Sequence, residues 1–143
     1  MGMKRAAMAT GTAIIDGRAA GRVLRVDHPL SFWGGVDPAT GRISDPRSSL
    51  FDTPVAQRVL MLTATVGSSS SSAVMLELLA KNIAPAALVI GNIDAIIGVG
   101  VIVAREMGYG AIPVIHLVPS EQAAFDDGAE VEIGDGGVIR SLT

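Results

Sequence analysis

Two patterns of apolar residues alternate along the chain and predict its secondary structure. Compact runs rich in Val, Ile and Leu, bounded by glycine or polar residues, are typical of strands. We predict strands at seven such runs: 12–15, 22–26, 58–62, 86–90, 112–117, 129–133 and 138–142. Apolar residues recur at helical spacing in 68–81 and 95–107. The first stretch begins at serines and the second follows Asp94, and both residue types commonly cap helices. The order of strands and helices predicts an α/β fold and fits a three-layer β/β/α arrangement.

Turn residues separate these segments. Asp16-Gly17 lies between the first two strands and predicts a hairpin there, and the run 134–137 predicts a second hairpin near the C-terminus. Residues 27–54 are rich in Gly, Pro, Ser and Asp, as expected of a loop. Because this loop also carries large apolar residues, we expect it to be packed down and functional rather than a linker. Those residues are Phe32, Trp33, Val36, Ile43, Leu50 and Phe51.

Composition narrows the class of protein. The 143 residues are the size of one domain, and 49% hydrophobic with 17% charged residues is too apolar for disorder. A net charge of −3 and the lack of a Lys/Arg cluster argue against nucleic-acid binding. The most apolar window, 84–104, contains Asn92 and Asp94, which argue against a membrane span. The first residues do not resemble a signal peptide, so we expect a cytoplasmic location.

Cysteine is absent from the sequence. This excludes a disulfide framework, a thiolate zinc site and a cysteine nucleophile, and it leaves no ligand for an iron–sulfur cluster. Any such cluster must be held by a partner. His28 and His116 are the only histidines and have no companion residues at metal-ligand spacing, so we expect both to be structural.

Five consecutive serines, 68–72, follow Gly67 at the junction of a predicted strand and a predicted helix. Composition alone would indicate a flexible linker, but the apolar segments on both sides favour a strand-to-helix turn. One of these serines is enough to cap the helix. The remaining hydroxyls, together with the free N–H groups of a helix start, would suit a substrate carboxylate or phosphate. Capping and anion binding both remain open on these grounds.

Three segments carry a resemblance to a known family: LSFWGGVDPATGRISDPR at 30–47, GSSSSSAVMLELL at 67–79 and APAALVI at 84–90. Their order and spacing resemble the aconitase X small subunit, and SFWGGVDP is the most specific part. The resemblance implies that residues 1–143 form a single swivelling domain like the fourth domain of aconitase. It also implies a large-subunit partner that holds the iron–sulfur cluster, in agreement with the lack of cysteine.

The same resemblance implies a hydro-lyase that dehydrates a small hydroxy acid and is active only with the large subunit. In this family, bacterial members include cis-3-hydroxy-L-proline dehydratases, and archaeal members act on mevalonate 5-phosphate. The serine run is of the bacterial kind, so the proline derivative is our first expectation. Some relatives carry an arginine before the glycine of this loop, where this chain has Val66. No anion contact is therefore expected from that position.

Roles for the serine run follow from the resemblance as well. Ser68 matches the catalytic serine of the aconitase loop, which takes a proton from the substrate carbon next to the acid. A serine hydroxyl is a weak base, so helix N–H groups and positive charge would have to stabilise its alkoxide. Gly67, Ser69 and Ser72 are expected to contact substrate, with helix capping as the other interpretation of Ser72.

The segment Ser31, Phe32, Trp33, Gly34, Gly35 is a candidate for the substrate or subunit interface, since glycines permit close approach of a ligand or partner. The alternative is that its two aromatic residues only fill the core. Ion pairing that orders the loop is the expected role of Asp37, Arg42, Asp45 and Arg47. Asp94 precedes the second helix, and capping is a sufficient explanation for it.

A rival resemblance comes from residues 102–108 and 112–114, which resemble the mobile phosphohistidine domain of phosphotransfer enzymes. That domain would need a histidine three residues before Ile102, and Val99 occupies the position. A phosphoryl carrier is therefore not expected, although the architecture would be shared. A noncatalytic binding or assembly domain remains a third possibility.

Overall fold

The structure, a computed structural model, describes residues 7–66 and 69–142. The described residues form ten strands: β1 Met8–Thr10, β2 Thr12–Ile15, β3 Ala19–Val26, β4 Val36–Asp37, β5 Arg42–Ile43, β6 Arg58–Leu62, β7 Ala87–Ile90, β8 Val114–His116, β9 Glu130–Gly134 and β10 Val138–Ser141. The α-helices are α2 Ser69–Ala80, α3 Ala95–Glu106 and α4 Pro119–Gln122, and a 3₁₀ turn spans Asp135–Gly137. The short segment α1, Phe32–Gly35, is a turn with non-helical backbone angles at Trp33 and Gly34.

Eight strands form one mixed sheet in the order β1-β10-β9-β3-β6-β7-β8-β2. The strands β3, β6, β7 and β8 are parallel, and the other pairs are antiparallel. The strands at the two ends of this order, β1 and β2, follow each other in the chain with only Gly11 between them. The sheet therefore bends round until its two ends meet. At the junction, the Gly11 N–H donates to the Gly137 carbonyl at 2.9 Å.

The bent sheet separates two apolar cores. One core lies between the parallel strands and the helices, where Leu60, Leu88, Met75 and Val101 are fully buried. The other lies between the parallel strands and the layer formed by β9, β10 and β1. Helices, parallel strands and antiparallel strands are thus three successive layers, which confirms the predicted β/β/α fold.

Helix α3 shows how local sequence positions an element. The Asp94 carboxylate accepts from the N–H groups of Ile96 and Ile97 at 3.0 and 3.3 Å and caps the first turn, as predicted. The helix ends near Met107, and Gly108 has a φ of +80°, a conformation that glycine adopts without strain. Within α3, Gly100 lies so close to α2 that an added Cβ would be 2.4 Å from the Ser72 carbonyl oxygen.

One of the two predicted hairpins is confirmed. Strands β9 and β10 pair antiparallel across the turn at Asp135–Gly137. The hairpin predicted at Asp16-Gly17 is wrong, because β2 pairs with β8 while β3 pairs with β6 and β9. The Asp16 carboxylate accepts from the Gly17 and Gly136 N–H groups, both at 3.0 Å, so this turn is bonded to the distant hairpin. Pairing partners far away in sequence outweigh the local turn signal.

The long loop is packed down as predicted, with two exceptions. Phe32, Val36 and Ile43 are buried and Leu50 packs against the helix-side core, but Trp33 and Phe51 are exposed. The short strands β4 and β5 pair antiparallel within this loop. The loop therefore contributes to the core and still presents two large aromatic side chains to the surface.

Candidate functional site

Parallel strands direct their carboxyl ends to one edge of the sheet, and the connections that leave this edge form the candidate site. Three connections matter: 27–31 after β3, 63–66 after β6 and 91–94 after β7. The second leads directly into the serine run and α2, and the third leads into α3. Polar side chains from two of the connections meet there.

Thr65 makes the hydrogen bonds that join two of these connections. Its side chain is buried, and its hydroxyl donates to the Asp94 carboxylate at 2.6 Å. Its backbone N–H donates to Asn92 Oδ1 at 3.0 Å, and Asn92 Nδ2 donates back to the Thr65 carbonyl at 3.1 Å. Asp94 thus caps α3 with one oxygen and holds Thr65 with the other. These bonds fix the backbone two residues before Gly67.

A backbone bridge brings the SFWGG segment to the same place. The Leu30 N–H donates to the Ala64 carbonyl at 3.1 Å, and the Val66 N–H donates to the Leu30 carbonyl at 3.0 Å. The turn α1, which follows Leu30, packs against α2. The predicted loop residues and the serine run are therefore neighbours, although more than thirty residues of sequence lie between them.

Not all of the predicted serine-run residues can be located. Gly67 and Ser68 lie outside the described residues, so the roles predicted for them stay predictions. Ser69 is the first residue of α2, and only its backbone is described. Ser70 and Ser72 are half-buried, and each has an interaction with its surroundings.

Ser71 differs from its neighbours in facing inward. It is 4% exposed, and within the described chain its hydroxyl has no hydrogen-bond partner. Val74, Met75 and Leu78, which follow it at helical spacing, are buried in the core. The serine run is therefore not a uniform polar surface, because one hydroxyl is turned toward the sheet.

The start of α2 is suited to an anion. The helix has 12 residues and no acidic residue in its first turn. A helix start carries roughly half a unit of positive charge and unpaired N–H donors. A carboxylate placed there would be stabilised, and the alkoxide of a nearby serine would be stabilised in the same way.

Within the SFWGG segment the structure separates the two aromatic residues. Phe32 is fully buried, so the core-filling interpretation holds for it, whereas Trp33 is 65% exposed and does not fill the core. The Ser31 hydroxyl donates to the Trp33 carbonyl at 2.9 Å. Gly34 has a φ of +79°, which lets the chain turn tightly here. A surface depression beside these residues is lined by Leu30, Ser31, Trp33, Gly34, Gly35, Asp45 and Arg47.

Ion pairs in the loop match the prediction in part. Arg47 Nε lies 3.3 Å from Asp45 Oδ1, and hydrogen bonds from the Arg47 backbone and side chain lower the pKa of Asp45. Arg42 pairs with Asp52 at 3.7 Å, a partner that the sequence did not indicate. Asp37 accepts instead from the Ala39 N–H at 2.8 Å and shapes the turn. Arg42, Arg47 and Asp52 are exposed and Asp37 and Asp45 are half-buried, so the pairs order the loop more than they stabilise the fold.

The histidines contact backbone and side-chain groups of the fold. His28 Nε2 lies 3.4 Å from the Ser48 hydroxyl, and His116 is half-buried in β8 between β7 and β2. Over residues 7–66 and 69–142, no cluster of three or more His, Cys, Asp or Glu side chains could hold a metal ion. Nor is any helix in that part of the chain both long and apolar enough to cross a membrane.

Sequence reasoning missed Thr65 and Asn92. A weak signal existed, since each lies just after a buried strand, and two such strands that run parallel bring their ends to one edge. Asp94 was recognised as a cap, but its second bond was not foreseen. The missed pair consists of the residues that hold the predicted loop in place.

These features define a β/β/α domain that presents the polar start of a helix, and an exposed tryptophan beside it, at the carboxyl edge of its parallel strands. The chain belongs to the aconitase X swivel domain family, whose model matches residues 8–141. The family resemblance seen in the sequence is thereby confirmed, and the phosphohistidine carrier is not supported.

Two relatives with assigned functions are similar to this chain, and they differ in how much of their own length the match covers. It is 37% identical over 111 residues to a cis-3-hydroxy-L-proline dehydratase of Hypocrea jecorina, covering 78% of this chain but 19% of that protein. It is 34% identical over 128 residues to the phosphomevalonate dehydratase small subunit of Thermococcus kodakarensis, covering 89% and 96%. The chain thus spans about a fifth of the first relative and nearly all of the second.

A solved structure agrees with these matches. The crystal structure of Thermococcus kodakaraensis aconitase X in its holo form contains a chain that superposes with a TM-score of 0.83 at 30% identity. The match covers 95% of this chain and 98% of that one. The likeness therefore extends over nearly the whole chain.

Proposed function

We propose that this chain is the small subunit of an aconitase X type hydro-lyase that dehydrates a small hydroxy acid. The observation that carries the proposal is the fixed position of the serine-run helix start at the carboxyl edge of a chain matched as an aconitase X swivel domain. The names of the relatives, which are dehydratases and dehydratase small subunits, support the same reaction class. The proposal includes a single domain over 1–143 and the cytoplasmic location predicted from the sequence.

In this proposal Ser68 takes the proton from the substrate carbon next to the carboxylate, and the helix start stabilises the resulting charge. Gly67, Ser69 and Ser72 contact the substrate. Thr65, bonded to Asn92 and Asp94, fixes the chain that leads into this loop. The rigid support matters because a misplacement of about 1 Å can lower a rate about 100-fold.

The cofactor belongs to the partner in this proposal. The sequence contains no cysteine, so its residues do not fit the ligation of an iron–sulfur cluster. We assign the cluster to a large subunit, where it would supply a Lewis acid for the departing hydroxyl. This chain contributes substrate contacts, proton removal and exclusion of water.

Cis-3-hydroxy-L-proline is the first candidate substrate. Its support is the bacterial kind of serine run together with the charge of the described edge. Neither 63–66 nor 91–94 contains a cationic side chain, which favours a carboxylate of single charge over a phosphate. Mevalonate 5-phosphate is the second candidate, because small subunits named for that reaction match this chain over nearly their full length.

Reconstitution tests the function. The chain is co-expressed with its cognate large subunit, the cluster is restored under anaerobic conditions, and both substrates are assayed for loss of water. We expect turnover of cis-3-hydroxy-L-proline by the complex and none by either subunit alone. Turnover of the phosphate ester alone would transfer the assignment to the second candidate. Turnover by this chain without the large subunit would refute the divided active site.

A further inference from the structure

Helix α3 is apolar on the side that faces solvent as well as on the side that faces the core. Ile97, Val101 and Ala104 are fully buried against the sheet. On the outer side Ile96, Val99, Ile102 and Val103 are 42%, 52%, 43% and 38% exposed. A helix that is hydrophobic all round is normally covered on every side. The described chain covers only one side of α3.

The exposed side of α3 continues the candidate site. Asp94, at the start of the helix, is bonded to Thr65, so α3 begins at the edge that carries the serine run. Two exposed apolar residues lie in the connections that lead into α2 and α3: Val66 is 52% exposed and Ile93 is 73% exposed. We name the surface formed by Ile93, Ile96, Val99, Ile102 and Val103 the α3 stripe. It starts beside the serine run and extends for roughly the 18 Å of a 12-residue helix.

Charge is almost absent from this surface. Between Ile93 and Ala104 the only charged residue is Asp94, whose carboxylate is used within the fold. Arg105 and Glu106 follow at the far end of the helix. An apolar centre bounded by charged residues is the usual composition of a lasting protein interface.

We infer that the α3 stripe is the surface on which the large subunit of the proposed dehydratase packs. This inference rests on the proposed function and adds the location of the contact. The stripe is continuous with the serine run, and a divided active site requires the large subunit to reach that run. In the Hypocrea jecorina relative about four fifths of the protein lies outside the matched region, so a large body is available to cover the stripe.

A second copy of this chain fits the surface less well. Two copies paired through their α3 stripes would cover Val66 and Ile93, which lie beside the serine run. That arrangement would close the edge that the substrate and the large subunit must reach. The large subunit covers the stripe and completes the site in a single contact.

The test compares two substitutions by lysine, one at Val99 and one at Leu142, because the two side chains are similarly exposed. Val99→Lys introduces a charge at the centre of the stripe, and lysine forms helix at least as well as valine. Leu142→Lys is the control: Leu142 is 50% exposed and follows β10 on the layer opposite the helices. The dissociation constant is measured by surface plasmon resonance with the tagged large subunit immobilised. The kcat is measured at a saturating concentration of large subunit. Melting temperatures of both isolated variants verify the fold.

We expect Val99→Lys to weaken association at least tenfold, as for a central contact, and Leu142→Lys to change it less than twofold. The kcat of the Val99→Lys complex should return to the wild-type value at saturation, because Val99 does not touch substrate. Unchanged association of a folded Val99→Lys chain with a wild-type complex that is active would overturn the inference alone. A variant that only dissolves a self-association of this chain would assign the stripe to a second copy. Failure of the wild-type chain to bind the large subunit would remove the proposed function, and the inference with it.

Discussion

Thr65 joins the connections 63–66 and 91–94 through its hydrogen bonds. Replacing it with valine removes the hydroxyl group and nearly preserves the shape of the side chain. Thr65→Val eliminates the 2.6 Å bond to Asp94 and leaves that carboxylate oxygen without its partner. We expect the free energy of unfolding to fall by about 1.5–3 kcal/mol, as for a hydrogen bond to a charged group. Urea unfolding of the isolated chain measures the change.

The control for this change is Thr63→Val, a half-buried threonine of the same connection for which the structure gives no side-chain bond. It should alter stability by less than about 0.5 kcal/mol. In the reconstituted complex Thr65→Val should lower kcat more than it raises KM, because the loop is misplaced and not removed. Equal behaviour of the two variants would show that Thr65 has no special part in holding the loop.

Ser68 is the residue to which the proposal gives the proton transfer. Ser68→Ala should reduce turnover of the assembled complex by roughly 10²–10⁴-fold, the range for loss of a positioned acid–base group. Ser70→Ala, two residues further along the chain, is the control and should retain most of the activity. Association and melting temperature should stay near wild type in both. Near-wild-type turnover of Ser68→Ala would take this residue out of the mechanism.

At the scale of residues, the sequence predicted what depends on local spacing. The cap at Asp94 involves partners within three positions, and it is confirmed. The bond from Thr65 to Asp94 connects residues 29 positions apart, and no local pattern announces it. The exposure of Trp33 likewise depends on which side of the loop meets α2. Hydrophobicity alone could not decide between the two aromatic residues.

Helices α2 and α3 approach each other so closely at Gly100 that a larger side chain does not fit there without a shift of the backbone. Gly100→Ala would place a methyl group 2.4 Å from the Ser72 carbonyl, a backbone atom that cannot move without shifting the start of α2. We expect a loss of about 1–3 kcal/mol in stability, typical of overpacking. Thermal unfolding followed by circular dichroism measures it.

Gly98→Ala is the matched control within the same helix. Gly98 is also buried, but an added Cβ would meet only the Ile14 and Ile15 side chains at 3.7 Å, an ordinary contact. Because alanine favours the helix over glycine, stability should rise by up to about 1 kcal/mol. If both variants lost stability equally, helix packing in general and not the approach of α3 to α2 would explain the result.

Elements whose signal is continuous along the chain were predictable. Strand β6 has the predicted bounds, and α3 begins at the predicted residue. The strand predicted at 112–117 shrinks to Val114–His116, since Pro113 offers no N–H for a ladder. The wrong prediction of a hairpin at Asp16-Gly17 shows what a local pattern cannot predict. A turn signal fixes the local direction of the chain and does not choose the strand beside it.

For the whole molecule, the loop from Ser31 to Arg47 gives a test of assembly. It buries Phe32 and Ile43 within this chain but leaves Trp33 exposed beside α2. We expect hydrogen exchange of its backbone to slow when the cognate large subunit is added, because contact would restrict local opening. Exchange mass spectrometry on free and assembled chains measures this effect. The strands β9 and β10 serve as the internal control, and unchanged exchange in the loop would restrict its role to support within the domain.

The meeting of the two sheet ends at Gly11 has a consequence for how this protein can associate. An open sheet presents rows of unpaired N–H and C=O groups to which a strand of another chain can add. Here the terminal strands have only three and four residues, and they are successive parts of one segment. Few backbone groups are left for a foreign strand, so both specific recognition by strand addition and growth into fibrils are disfavoured. Partners must instead recognise side chains, on the helices and on the loops between them.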